Sequence, residues 1–331
     1  MGDMVHSLPA ITDAARALPD LQIDWVVDRA FSQVPAWHSA VNEVIASPPR
    51  RLSNLRSQEF WRFVRKLRSR KYDWIVDLQG HWKSAFAAWL AKGKTAGYDR
   101  KSVNEWGAHV FYRNHYSVSR NHHSIQRMRA LLAQSLNYSF DANSIHYGID
   151  RSRLPANPFD GKEPYLVFIH STSWESKCWP ENYWQELTTQ AIRSGFLVAL
   201  PWGTQAEKSR AERIAGKQLK AVVLPQLSIS EKASVITGAS GTVGLDTGLS
   251  HIAAALDVPS VTLYGATDPF FIGATGKNQA HIASDFECVK CHRSTCTYPK
   301  MQKPACFQNM TPDLVWKSLE ILKYKKQRGQ V

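Results

Sequence analysis

The stretch Gly241-Thr242-Val243-Gly244-Leu245-Asp246-Thr247-Gly248-Leu249-Ser250-His251 decides the fold. Its first part, GTVGLD, reads as a buried strand, and DTGLSH opens a helix directly after it. Such a start aims unpaired backbone N–H groups and the positive end of the helix dipole at an anion. Gly248 lets a phosphate approach the backbone closely. Asp246 stands at the strand's carboxyl end, where α/β sheets place ligands. On spacing alone the run fits a plain N-cap equally well, with Asp246 or Thr247 satisfying orphan amides.

Outward from this run, strands and helices alternate. In the second half, strands are expected at 165–170, 196–202, 221–224, 241–246 and 260–265, with helices near 181–194, 207–217, 230–238 and 249–256. In the first half, QIDWVVD at 22–28, a shorter run at 41–46 and YDWIVDL at 72–78 read as strands. Helical spacing appears at 56–70, where Phe60, Phe63, Val64 and Leu67 share a face, and again near 82–91 and 124–136. This order predicts two Rossmann-like halves, each a parallel sheet with helices on both faces, and a ligand cleft between them. Residues 150–164 hold three prolines and no apolar periodicity, and read as the linker. The domains are therefore expected at 1–155 and 156–310. A tail at 311–331 contains one more helix, expected to pack back toward the N-terminal domain. Met1-Gly2-Asp3 reads as a loop at the mouth of the first sheet, ahead of an amphipathic helix. The strand that would deliver such a loop does not precede it, so the first sheet is expected to lack a member.

The chain has 331 residues, 41 Lys and Arg against 28 Asp and Glu, and a formal charge of +13. This excess attracts polyanions: nucleic acid, anionic lipid or phosphorylated glycolipid. No nucleic-acid motif accompanies the charge, so nucleic acid is not expected as a partner. No run of apolar residues is long enough to span a bilayer, and no signal peptide is visible. A cytoplasmic protein docked on an anionic membrane surface is expected. Twelve Trp serve either as core or as carbohydrate- or membrane-facing surface. Five cysteines in a reducing compartment argue against a disulfide framework.

Several other runs carry chemistry. HSTSWESKCWP, at 170–180, follows a strand, and its Ser171, Thr172 and Ser173 offer donors while Lys177 could neutralise a leaving diphosphate. Pro201-Trp202-Gly203 precedes Glu207, which suits either ribose hydroxyls or the first turn of a helix. Asp3, with His6 nearby, could be a general base or merely a cap. The stretch from Arg50 through Arg51, Arg56, Arg62, Arg65, Lys66, Arg68 and Arg70 to Lys71 holds a single acid, Glu59, and includes Trp61. A basic amphipathic helix of this kind suits phosphorylated lipid. Cys288, Cys291, Cys296 and Cys306 could form an all-thiolate structural zinc site, because the first pair has zinc-knuckle spacing. Cys178 stands apart and is expected to be inert.

Taken together, MGDMVHSLPAI, DLQG with Lys83-Ser84, HSTSWESKCWP, PWG with Glu207, DTGLSHIAAALDVPSVTLYGATDP and GKNQ (276–279) resemble the ADP-heptose:lipopolysaccharide heptosyltransferases. The similarity covers nearly the whole chain, and the order and spacing are closest to heptosyltransferase I. The resemblance implies a GT-B fold, with the donor in the C-terminal domain and the acceptor in the N-terminal one. It implies an inverting transfer of L-glycero-D-manno-heptose from ADP-heptose to the inner 3-deoxy-D-manno-octulosonic acid (Kdo) of Kdo2-lipid A, on the cytoplasmic face of the inner membrane. By this similarity Asp3 is the base. Thr172, Ser173 and Lys177 contact the diphosphate and sugar, and Glu207 holds the ribose. Leu227 falls at adenine, and Asp246, Thr247, Gly248 and His251 bind the heptose and phosphates. Arg62, Arg65 and Lys66 are the acceptor-side candidates. No catalytic metal or other cofactor is implied. The alternatives are a heptosyltransferase II or III acting on a heptosylated core, or an inactive fragment that binds ADP-heptose.

The sequence departs from the family in three places. Ser173 replaces a second Thr, and the cysteine-rich segment is more typical of heptosyltransferase II. The family's short apolar strand before Met-Gly-Asp is missing, which predicts a mobile Asp3 and low turnover for this chain.

Overall fold

The computed structural model describes residues 1–48, 57–159, 163–298 and 304–328. Two compact units divide it, residues 3–153 and residues 154–331.

The first unit opens with α1 (Gly2–Ala17), followed by β1 (Ile23–Asp28), the short α2 (Gln33–Ala36), β2 (Val41–Ser47) and α3 (Gln58–Leu67). β3 (Tyr72–Val76), α4 (Trp82–Leu90), β4 (Gly93–Tyr98), β5 (Asn114–Tyr116) and α5 (Ser124–Leu136) complete it. The pairings between its strands are parallel, but they form two sheets, β1-β2 and β3-β4-β5, rather than the single sheet expected. What joins the two is side-chain packing. Ala10, Ile11 and Ala14 of α1 share a core with Met128 and Leu132 of α5, flanked by Ile23 and Trp25 of β1 and Val76 of β3. Arg129 of α5 reaches Asp13 of α1, Nε to Oδ2 at 2.5 Å, with 1% and 9% of the two side chains exposed. Arg129 Nη2 also donates to the carbonyls of Asp141 and Ser144 at 2.8 Å each, so the buried guanidinium is well satisfied.

Met1-Gly2-Asp3 is not a loop. Asp3 lies in the first turn of α1, where its charge complements the helix dipole. β4, with the sequence GKTAGY, has no alternating apolar signal because crowding demands two glycines. A Cβ on Gly93 would lie 2.4 Å from the Tyr72 carbonyl oxygen, and one on Gly97 would lie 2.3 Å from the Tyr112 ring.

The second unit contains β6 (Tyr165–Ile169), α6 (Glu181–Arg193), β7 (Leu197–Leu200), α7 (Gln205–Ala215), β8 (Ala221–Val223) and α8 (Ile229–Thr237). β9 (Gly241–Leu245), α9 (Gly248–Ala255), β10 (Ser260–Tyr264), the short α10 (Pro269–Ile272), β11 (Gln279–Ala283) and α11 (Pro312–Gln327) follow. Its six parallel strands run in the order β11-β10-β9-β6-β7-β8. β6, β9 and β10 are buried along their whole length, as strands covered on both faces must be. Leu166, Phe168, Val243 and Leu245 meet Trp184 and Leu187 of α6 and Ile214 of α7 on one face. On the other, Gly244 lets α9 approach, since a Cβ there would stand 2.4 Å from Ser250 Oγ.

The tail helix packs within the second unit. Val315, Trp316, Leu319 and Leu322 of α11 join the core of the second unit, beside α6, β9, β10 and β11. Among the described residues no helix is long and apolar enough to cross a membrane.

Candidate functional site

The strand order of the second unit reverses between β6 and β9, which pair Phe168 with Val243 and Ile169 with Gly244. Ligands of open α/β sheets bind outside the carboxyl ends of strands at such a switch point. Two loops emerge there side by side, 170–177 after β6 and 246–247 after β9.

Asp246 is the centre of this corner. Its Oδ2 accepts from Lys177 Nζ at 2.7 Å and from Thr267 Oγ1 at 2.7 Å, and His251 Nε2 lies 3.7 Å from Oδ1. Burial alone would favour the neutral acid. The nearby His251 and the Lys177 ammonium outweigh it and hold the carboxyl well below the usual carboxylate range. The backbone carbonyl of Asp246 accepts from Thr172 Oγ1 at 3.3 Å, tying the two loops together. Lys177 Nζ also lies over the Trp174 ring, 4.4 Å from its centroid. Thr267, in the loop after β10, is the residue that sequence reasoning missed. Its motif, TDP, was visible, but nothing local announces that its hydroxyl reaches Asp246.

α9 starts at this corner with Thr247 as its N-cap residue, whose side chain makes no capping hydrogen bond. Ser250 Oγ, which might have done so, donates to the Leu245 carbonyl at 2.6 Å instead. The first-turn amides are thus available to an anion. Ser173 is exposed and Thr172 half-buried beside them.

Other expected donor residues lie further along the same sheet. Glu207 Oε2 accepts from the amides of Gly203 at 2.6 Å and Thr204 at 3.1 Å, in a capping box with Thr204. Its carboxylate therefore caps α7, the plainer of the two uses the sequence allowed. Leu227 is half-buried just before Ser228, the N-cap of α8.

The turn that carries Lys177 is braced from below. Ser176 N–H donates to the Ser294 carbonyl at 3.1 Å, and Ser176 Oγ to that of Arg293 at 2.5 Å. These carbonyls belong to the cysteine-bearing loop. Cys288, Cys291, Cys296 and Cys306 line one cavity of about 430 Å³ with Ser176 and Ala266. Among the described residues no group of three or more His, Cys, Asp or Glu side chains is placed to hold a metal ion. Cys306 is committed to the apolar core against Gly265, whereas Cys291 is exposed. Burial raises the Cys178 thiol, consistent with an inert role.

Asp3 belongs to the first unit. It is exposed, and its Oδ2 accepts from Gln79 Nε2 at 3.3 Å. Helix α1 and Gln79 both hold it, against the expectation of a mobile terminus. The Gln79 turn is organised by Asp77, a buried carboxyl that accepts from Tyr112 OH at 2.6 Å, Ser84 Oγ at 2.8 Å and the Gln79 amide at 2.9 Å. Burial raises the Asp77 carboxyl above its ordinary range, and these donors offset part of that rise.

Arg50, Arg51 and Arg56 lie outside the described residues. In α3, Arg62 and Lys66 line a polar cavity of about 580 Å³ with Arg29, Gln58 and Glu59. Two of its cations are already matched, Lys66 with Glu43 and Arg29 with Glu59. Arg65 is exposed on the same helix.

With this geometry in hand, similarity to known proteins narrows the chemistry. Residues 60–302 match glycosyltransferase family 9 (heptosyltransferase). The chain is 44% identical to lipopolysaccharide heptosyltransferase 1 of Pseudomonas aeruginosa, covering 97% of this chain and 95% of that one. The structure of the E. coli heptosyltransferase WaaC with ADP superposes with a TM-score of 0.85 at 35% identity, over 97% of both chains. WaaC with ADP-2-deoxy-2-fluoro heptose gives 0.79 at 34% identity, over 97% of this chain and 96% of that one. The parallel sheets and these neighbours establish the GT-B fold class. The chain belongs to glycosyltransferase family 9, the heptosyltransferases.

Proposed function

We propose that this heptosyltransferase moves L-glycero-D-manno-heptose from ADP-heptose to Kdo of Kdo2-lipid A, with inversion at the anomeric carbon. The observation that carries the donor half is the corner at the β6–β9 switch point. There a half-buried lysine, an ionised aspartate and an uncapped helix start converge. That combination suits a sugar diphosphate, an anion whose charge rises as it leaves.

In this reading Asp3 takes the proton from the Kdo hydroxyl. The hydroxyl oxygen bonds to the anomeric carbon as the bond from that carbon to the diphosphate breaks, and ADP leaves. Lys177 and the amides of Thr247 and Gly248 receive its charge, the work a divalent ion would otherwise do. Thr172 and Ser173 contact the diphosphate and sugar, and His251 with Asp246 orients the heptose. Glu207 reaches the ribose only by giving up part of its cap on α7, and Leu227 lies at adenine. Arg62, Arg65 and Lys66 face the acidic acceptor. The chain works as a peripheral protein on the cytoplasmic face of the inner membrane.

Mass spectrometry of the product formed from ADP-heptose and Kdo2-lipid A tests this. Addition of a single heptose to Kdo is expected. Transfer only to an already heptosylated core would replace the acceptor, and binding of ADP-heptose without transfer would remove the activity.

A further inference from the structure

The first unit carries an aromatic surface that neither its core nor the proposed chemistry uses. Helix α4 turns Trp82, Phe86 and Trp89 to one side, at the i, i+4, i+7 spacing of a helix face, while Ala85 and Ala88 are buried on the other. Phe111, from the short turn Ala108–Phe111, packs edge-on among them, with ring centroids 5.5 Å from Trp82, 6.0 Å from Phe86 and 6.2 Å from Trp89. Trp82 Nε1 donates to the Trp106 carbonyl at 3.1 Å, so its one polar atom is satisfied and the ring is fixed. Gly107, at φ +88°, leaves room for that ring, since a Cβ there would meet it at 2.7 Å. The arrangement is built, yet open: Trp82 is 47% exposed, Trp89 56%, Val110 65% and Trp106 74%. Contiguous exposed apolar surface of this kind marks an interaction site.

The neighbouring helix supplies the charge. α3 packs beside α4 through Phe63, Val64 and Leu67, with Ala87 and Leu90 alongside, and Arg68 Nη1 donates to the Leu90 carbonyl at 3.0 Å. Its outer side presents Trp61, Arg62 and Arg65. Aromatic rings with polar edges favour the boundary between headgroups and acyl chains, and basic side chains favour anionic headgroups. A second copy of this face would set like charges against each other.

We propose that Trp82, Phe86, Trp89, Trp106 and Val110 form a docking surface that seats in the headgroup boundary of an anionic bilayer, with Arg62, Arg65 and Arg68 on its phosphates. This builds on the peripheral membrane location proposed above, and names the side chains that achieve it. The aromatic part sets depth, and the basic part sets lipid preference.

The test is sedimentation of the full chain with vesicles of phosphatidylcholine, with and without phosphatidylglycerol. The parent should bind the anionic vesicles more strongly. Trp89→Ser with Trp106→Ser should weaken that binding by at least about tenfold, since two exposed indoles that would enter the boundary are lost. Heptose transfer to a deacylated, water-soluble acceptor is measured in parallel and should be unchanged in the same variant. Vesicle binding equal to the parent's would overturn the proposal. So would a parent that ignores vesicles and self-associates through Trp89. A parent that binds vesicles but transfers no heptose leaves the docking surface standing and removes the activity instead.

Discussion

Lys177 Nζ donates to Asp246 Oδ2 at 2.7 Å, across 69 residues of sequence, with 14% and 6% of the two side chains exposed. The cation that sequence reasoning assigns to a diphosphate is thus held by the carboxylate at the end of the neighbouring strand. The pair neutralises itself before a donor arrives and keeps the ammonium extended toward the helix start. In the function proposed above, the diphosphate competes with Asp246 for the same ammonium, so the two residues act as one unit.

Removing the ammonium should therefore act on the chemical step. Lys177→Ala should lower kcat by about 10²–10³-fold, the effect typical of losing one preorganised charge-stabilising donor. Affinity for ADP should change much less. Steady-state kinetics beside calorimetric titration with ADP would check this, and unchanged kcat would take Lys177 out of the mechanism.

Thr267 is expected to be a positioning residue. Thr267→Val leaves a buried carboxylate oxygen without one of its donors, a cost of about 1–3 kcal/mol. Lower stability in urea with a reduced kcat and little change in KM is expected, and Thr267→Ser should restore both. Failure of the serine variant to rescue would make the site's demand steric.

Asp3 and Gln79 should separate in kinetics. Asp3→Asn removes the proposed base and should reduce kcat by about 10²–10⁴-fold while ADP-heptose binding persists. Gln79→Ala only releases the side chain of Asp3 and should cost less. If Asp3→Asn turned over like the parent, another group would have to take the proton.

Two buried histidines make stability depend on pH. Burial, with Arg153 nearby, lowers His38 from 6.5 to about 4, and burial, with Arg210 nearby, lowers His170 from 6.5 to about 4. Between those values the unfolded chain binds more protons than the folded one. Stability is therefore fully present above pH 6.5 and is lost as pH falls toward 4. Each histidine contributes on the order of 3 kcal/mol over that window. Urea midpoints across this range should fall with acidification, less steeply for His38→Asn. Parallel slopes for parent and variant would remove His38 from the account.

What the sequence by itself determined is local. The strand GTVGLD, the helix opened by DTGLSH, the loops at 170–177 and 203–207 and most helices depend on residues within a few positions of one another. Periodicity and helix-start chemistry report such dependence directly. Where the requirement was crowding rather than pattern, that reading failed: Gly93 and Gly97 of β4 are set by Tyr72 and Tyr112, which no local count reveals. The tertiary structure alone decided partnership. Sheet order sets β9 beside β6, and this brings Asp246 to Lys177, with Thr267 arriving from the loop after β10. It also set Cys306 against Gly265 in the core of the second unit. The start of α9 was legible because it is one turn of backbone. The ionised carboxylate beside it was not, because its charge state is set by a lysine, a histidine and a burial depth that exist only once the sheet has closed.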